Sequence, residues 1–317
     1  SQQSVDNILI SIDTAGQPNG ALSINGGTSS PPSLVGWYAV ASLQAKGWSV
    51  SVNGTPPDAW PPTNCNTNVL TYGVTNFTSA WQACTSLTSF PLLNVSFGTN
   101  FSFTWYGCTS LTSFPLLNVS SGTNFYAAWG SCNSLTSFPL LNVSSGSNFN
   151  YSWQSCSNLI SFPLLNVSSG SSFQAAWSFC TSLTSFPLLN VSSGINFEDA
   201  WYNCTSLTSF PAGMFDYCTA INFNNSWLDC ALSQESVDNI LESIYTSGQS
   251  NGTLGISGGT SSPPSYKGWY FVAGLQARGW SVSVNGTPPA AWPPTNCNTN
   301  VQTYGVTSFD SAWKYCS

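Results

Sequence analysis

Residues 108–132 read C-T-S-L-T-S-F-P-L-L-N-V-S-S-G-T-N-F-Y-A-A-W-G-S-C, and this text recurs along the chain with a period of 24 residues. Cysteines fall at Cys84, Cys108, Cys132, Cys156, Cys180 and Cys204, and Trp81, Trp105, Trp129, Trp153, Trp177 and Trp201 each precede one by three. An altered seventh copy ends at Trp227 and Cys230, with an insertion around residues 212–218. Within one copy Leu111, Phe114 and Leu116 have the L-x-x-L-x-L spacing of a leucine-rich repeat, which predicts a short strand with these side chains on one core face. Ser120-Ser121-Gly122-Thr123 predicts a turn. Phe125 and Trp129 stand four apart and share one face of a predicted helical turn. A unit this small cannot bury such a face alone. Stacked on its neighbours it can, and the stack has a continuous core.

A longer duplication surrounds the short repeats: residues 4–84 recur as 236–316, at an offset of 232. Each copy reads as larger turns of the same ladder. Ser4 is an expected N-cap for a helix over 5–14. A strand is expected over 21–24, a helix over 33–45 after Pro31-Pro32, and a strand over 48–52. The predicted organisation is therefore a helix-bearing module (1–84), an array of short repeats (85–232) and a second module (233–317). The fold class expected is α/β, a leucine-rich-repeat-type right-handed solenoid with short parallel strands on one face and short helices or turns on the other.

Composition narrows the function. Charged residues make up 5% of the 317, net charge is -7, and His is absent. Without a cationic patch the chain has nothing with which to neutralise nucleic-acid phosphates or to approach anionic membranes. No apolar stretch is long enough to span a bilayer, so no membrane insertion is expected. Aromatics reach 14%, with 14 Trp, far too many for a disordered chain.

The short repeats resemble the BspA-like leucine-rich repeats of bacterial and viral surface proteins. C-T-S-L-T-S-F-P at 108–115 and its copies carry the likeness, with N-F-Y-A-A-W at 124–129. The resemblance covers residues 77–230, and the flanking modules look like the helix-bearing ends found beside such repeats. It implies a right-handed solenoid displayed on a surface or fibre, with an adhesive or scaffolding role and no catalysis. Almost no Asp stands in the turns and Trp is enriched, both departures from the usual pattern.

Eleven cysteines are an odd number. The in-phase six (Cys84, Cys108, Cys132, Cys156, Cys180, Cys204) would stand above one another at about the strand spacing of 4.8 Å. That spacing admits disulfides or a buried thiol ladder. Cys65 and Cys297, in equivalent C-N-T-N loops, are within reach of Cys84 and Cys316, 19 residues on. With no His and no C-x-x-C pair, no zinc site and no other cofactor is expected.

Thirteen N-x-S/T sequons occur, and Asn94, Asn118, Asn142, Asn166 and Asn190 recur every 24 residues, forming one row for sugars. The alternative is a structural Asn that satisfies turn backbone groups. The N-G-T sites Asn53, Asn251 and Asn285 are the preferred acceptors. The periodic tryptophans read as core. Trp60 and Trp292, in A-W-P-P, are the expected aromatic contact surface. Among the carboxylates only Glu198-Asp199 adjoin. Neighbouring residues point apart, and a glycosidase needs two carboxyls facing across a cleft. No enzyme is expected.

The resulting expectation is a structural solenoid subunit of an extracellular filament, fibre or surface layer, self-associating end to end as a homopolymer. Both ends of the sequence look cut in the middle of a pattern, which is expected either of a segment of a longer periodic array or of subunits that stack end to end. The alternative is an adhesin or phage tail-fibre-like protein on a cell or virion surface that binds a receptor or glycan. The slot after each repeat's second Phe, held by Tyr126, Asn150, Gln174 and Glu198, varies while the strand text does not.

Overall fold

The structure is a computed structural model that describes residues 1–58 and 60–290. It is a mixed α/β fold with four helices and short parallel strands among the described residues. In the first module, helix α1 (Gln2–Thr14) leads to strand β1 (Ala21–Ser23), and helix α2 (Leu34–Ala45) to strand β2 (Ser49–Ser51). The second module repeats this as α3 (Gln234–Thr246), β4 (Thr253–Gly255), α4 (Tyr266–Ala277) and β5 (Ser281–Ser283). Between them lie the short repeats and the two-residue strand β3 (Asn222–Phe223). β1 pairs with β2, and β3 with β4 and β4 with β5, all parallel.

The helix starts follow from local chemistry. Ser33 and Ser265 lie in extended backbone, and each accepts a bond from the amide three residues on. Ser1 caps α1 in the same way, its Oγ accepting from Ser4 N, and Ser233 caps α3. The helix thus begins three residues before the expected Ser4, because Ser1 supplies the acceptor that an orphan first-turn donor needs. Asp6 Oδ1 accepts from Ser33 N (2.9 Å), and Asp238 Oδ1 from Ser265 N (3.0 Å). Each carboxylate fastens one helix to the start of the next.

The short repeats depart from the expected strand and helix. The stretch over 111–116 pairs with its neighbours only by isolated parallel bridges such as Ser89 with Ser113. Leu116 does not join the core: it is exposed, while Leu117 and Val119 are buried. The cause is a three-residue turn in which Leu117 N donates to Pro115 O (2.9 Å), putting Leu116 at the tip. The bond recurs from Leu141 to Pro139, from Leu165 to Pro163 and from Leu189 to Pro187.

Nor do Phe125 and Trp129 sit on a helix. They face one core, but the chain there is a run of tight turns with Ala127 and Ser131 at positive φ. Backbone donors alternate in destination. Phe125, Ala127, Trp129 and Ser131 donate to the next repeat, at Asn148, Asn150, Ser152 and Gln154. Ala128, Gly130 and Cys132 instead close turns onto Phe125, Ala127 and Trp129. Every second peptide is spent between repeats and the others within, so the buried backbone is satisfied without a regular helix or strand.

This ladder sets the spacing of three aromatic columns. Phe77, Phe101, Phe125, Phe149, Phe173, Phe197 and Phe223 stack at 5.2–5.6 Å between centroids and within 3–7° of parallel. Trp81 through Trp227 stack at 5.0–6.3 Å and within 5–9°. A third column, Phe90 through Phe210, meets the indoles edge to face, as Phe138 meets Trp129 at 5.0 Å and 76°. Parallel rings at this separation are offset, the arrangement their quadrupoles favour. Gly146 is required here, since a Cβ on it would run into the rings of Phe149 and Phe125.

Truncating one column member leaves a void that both neighbouring rungs line. Trp153→Ala is expected to cost about 3–5 kcal/mol, read as a lowered urea midpoint. Leu164→Ser, on the exposed leucine row, is expected to change stability by less than about 0.5 kcal/mol. Equal effects would contradict the columns as the source of stability.

Candidate functional site: interaction surfaces of the stack

The in-phase cysteines form a hydrogen-bonded thiol ladder with one exception. Cys108 Sγ donates to Trp81 O (3.1 Å), Cys132 to Trp105 O (3.2 Å), Cys156 to Trp129 O (3.3 Å), Cys180 to Trp153 O (3.2 Å) and Cys204 to Trp177 O (3.1 Å). Cys230 continues the series onto Trp201 O (3.1 Å). All six are free and buried. Burial pushes their thiols up, Cys108 to about 11 and Cys156 and Cys230 to about 12, and holds Cys132, Cys180 and Cys204 well above 9.0. A thiol so held is an inert donor and not a nucleophile.

Cys84 is the exception: Pro57, and not a tryptophan, stands 27 residues before it. It is bridged to Cys65, with Cα atoms 5.5 Å apart. The same loop closes the aromatic columns. Trp60, expected as a contact surface, is half-buried and sets its edge against Phe77 (4.9 Å) and Trp81 (5.8 Å). Trp81 Nε1 donates to Asn66 O (2.9 Å). The six later indole nitrogens, from Trp105 to Trp227, are buried without a conventional acceptor. Trp60 is therefore a lid on the first rung. Trp292, Cys297 and Cys316 lie outside the described residues.

The asparagines divide in a way the sequence did not reveal. At Asn53, Nδ2 donates to Gly26 O (3.2 Å) and Ser29 O (2.8 Å) while Oδ1 accepts from Gly26 N (2.8 Å). Asn285 makes the same three bonds to Gly258 and Ser261. Asn53 and Asn285, two of the three preferred sugar acceptors, thus have their amide nitrogens committed to turn carbonyls. Asn251 has positive φ, and a Cβ at Gly279 would strike its side chain. The periodic row is arranged oppositely. Asn118, Asn142, Asn166 and Asn190 are exposed, and each Oδ1 accepts from the sequon serine's hydroxyl (2.8 Å). Asn94 makes that bond at 2.7 Å and is half-buried.

Two further rows were missed. Leu92, Leu116, Leu140, Leu164 and Leu188 form an exposed apolar row beside the asparagines, each more than half exposed. On the tight-turn face lies a set of aromatics at least part exposed: Phe103, Tyr106, Tyr126, Tyr151, Phe179 and Tyr202. Phe103 and Tyr126 stand 5.2 Å apart, and Tyr126 and Tyr151 5.4 Å. Tyr126 belongs to the varying slot already noted in the sequence, and the other five occupy neighbouring positions that vary in the same way.

Glu198 and Asp199 sit on this face and diverge. Glu198 Oε2 accepts from Gln174 in the preceding repeat (3.4 Å), and Asp199 accepts from Asn225 in the following one. Burial raises the Asp199 carboxyl, and Asn225 opposes it. The two carboxyls do not face each other across a cleft. Among the described residues no group of three or more His, Cys, Asp or Glu could hold a metal, and no helix is long and apolar enough to cross a membrane.

Comparison with protein-family models, with curated proteins and with solved structures gives no match for this chain.

The thiols predict a pH response of definite sign. Their folded values lie above the unfolded value of 9.0, so the folded state holds protons that the unfolded state loses. Stability from this source is complete below about pH 9 and falls as pH rises toward 12. Urea midpoints are expected to be flat in this respect at neutral pH and to drop above pH 9, with a shallower drop in Cys156→Ala. An identical slope in the variant would contradict the ladder.

Proposed function

We propose that this chain is a structural element of an extracellular filament, fibre or surface layer, built as a right-handed leucine-rich-repeat-type solenoid whose subunits join end to end. The solenoid would be of the BspA-like kind, running as one ladder through both modules and the repeats between them. The observation that carries the proposal is the mutual dependence of rungs. Each rung's indole, phenyl rings and thiol find their partners in the rungs on either side, so the core grows in one dimension and has no natural stop except a lid.

Supporting details concern setting. The Cys65–Cys84 disulfide suits an oxidising compartment. From Ala59 to Phe197 no residue carries a formal charge, so the middle of the stack offers trypsin-like proteases no cleavage site and like-charge repulsion little hold. The exposed asparagine row would present sugars in a line. No catalytic role is proposed.

A second reading, adhesion to a glycan or surface receptor, is favoured by the varied aromatic face around Tyr126, Tyr151 and Tyr202. Part-exposed rings beside Asn, Gln and carboxyl groups are chemistry that stacks on and hydrogen-bonds to sugars.

Electron microscopy of the purified chain over a range of concentrations separates the two. Regular unbranched filaments that lengthen with concentration are expected. Isolated short particles that bind a glycan array, with binding lost in Tyr126→Ala/Tyr151→Ala, would replace the structural reading by the adhesive one.

A further inference from the structure

One slot on the tight-turn face carries side chains that its backbone does not ask for. The residue two places after each core phenylalanine stands at positive φ: Ser79, Phe103, Ala127, Tyr151, Ala175, Asp199 and Asn225. Left-handed backbone suits Asn and Asp and disfavours a bulky ring. Phe103 and Tyr151 hold it nonetheless, at φ 56° and 60°. Both rings are part exposed, so the strain does not serve the core. Strained residues of this kind collect at binding sites.

Tyr126, one place after its own core phenylalanine, stands between them. Phe103 and Tyr126 are 5.2 Å apart and Tyr126 and Tyr151 5.4 Å, with successive planes tilted by 59° and 57°. The three rings follow the stack, one to a rung. Polar groups take over where they stop. Asn150 Oδ1 accepts from Ser172 Oγ (2.6 Å) and from Gln174 N (2.8 Å), and Gln174 Nε2 donates to Glu198 Oε2 (3.4 Å). These side chains are part exposed as well. The result is a track along consecutive rungs from Phe103 to Glu198, rings first, then amides and a carboxyl.

We propose that this track binds an uncharged, extended β-1,4-linked polysaccharide lying along the stack. The proposal rests on the adhesive reading above and names its ligand. The track lies within residues 103–198, so it is independent of whether subunits join end to end.

Pitch, charge and backbone select this ligand. Backbone bonds between rungs fix the separation of the rings, so a ligand that uses all three must repeat at that distance. A β-1,4-linked chain runs straight, advances by about one pyranose ring per sugar, and turns each sugar over relative to the last. Tilted rings one rung apart can each meet the C–H face of a successive sugar, whose hydrogens suit the negative face of an aromatic ring. An α-1,4-linked chain coils and leaves the line. No residue from Ala59 to Phe197 carries a formal charge, and Glu198 and Asp199 follow. An acidic polysaccharide would therefore meet no cation and two anions. A peptide strand has no edge to join, because the backbone donors from Phe125 to Cys132 are already bonded between or within rungs.

Depletion isotherms of the full chain on suspended microcrystalline cellulose and on chitin test this, with starch granules and alginate beads as the coiled and the acidic comparison. Wild type is expected to bind at least one of the first two saturably and neither of the others. Tyr126→Ala and Tyr151→Ala are each expected to weaken binding roughly threefold to tenfold through the loss of one stacked ring. Ala127 and Ala175 already hold the Tyr151 slot at positive φ, so the fold should persist, which circular dichroism checks. Tyr126→Phe and Tyr151→Phe keep the rings and should retain binding, and Leu164→Ser, on the leucine row, should bind as wild type. Binding that survives the double variant Tyr126→Ala/Tyr151→Ala, or that extends equally to starch or alginate, would overturn the track. So would a failure to bind either cellulose or chitin. If a glycan array then shows other sugars held through Tyr126 and Tyr151, the adhesive reading stands without this ligand, and if it shows none, both fall.

Discussion

The structure depends on one repeated contact, the stacking of a rung's tryptophan on the tryptophan of the next at 5.0–6.3 Å. The spacing is imposed by the alternate backbone bonds between repeats, from Phe125, Ala127, Trp129 and Ser131 to the rung that follows. Large flat rings suit it because they cover the area between two rungs with little side-chain entropy to lose. A lone rung would leave both faces of Phe125 and Trp129 in water. Stability is therefore a sum of interfaces between neighbours, and not a property of any one unit.

Other choices follow from that constraint. A thiol three residues after each tryptophan is small enough to stay inside the stack and still donates to the carbonyl of the preceding rung. A hydroxyl there would carry a larger desolvation cost, and a larger apolar group would crowd the column. Where the series begins, the chemistry changes: Cys84 is bridged to Cys65, Trp60 covers the rings, and Asn66 O accepts from the first indole N–H. The six later indoles give up that bond, a cost of about 1–3 kcal/mol each if wholly unmet, tolerated because the surrounding rings bury so much area.

Much of the ladder was legible in the sequence because a strict period has few physical meanings. The phase of Cys, Trp and Phe identified which side chains share a core, and the duplication at 232 anticipated that α1, β1, α2 and β2 recur as α3, β4, α4 and β5. Finer features were hidden where backbone geometry overrides side-chain pattern. Leu116 and Leu117 are both leucine, and only the turn closed by Pro115 decides that the first faces water. Phe125 and Trp129 have helical spacing, yet positive φ at Ala127 and Ser131 produces the same co-facing by another route. Asn53 and Asn118 both open sequons. Asn53 is bound to turn backbone 24–27 residues away, while Asn118 accepts from the serine two residues on, a difference the motif does not encode.

The central claim is that the period itself, and not the identity of any rung, carries the fold. The most direct measurement is near-ultraviolet circular dichroism and urea unfolding of two deletion variants. Removing residues 133–156 excises one full period, and every column can close over the gap. The account predicts a folded protein with its aromatic signal retained in proportion to the tryptophans that remain. Removing residues 133–144 excises half a period and throws Phe, Trp and Cys out of phase, so the aromatic signal and the cooperative transition should be lost. If both deletions were tolerated alike, or both were fatal alike, stacking in phase could not be what holds this chain together.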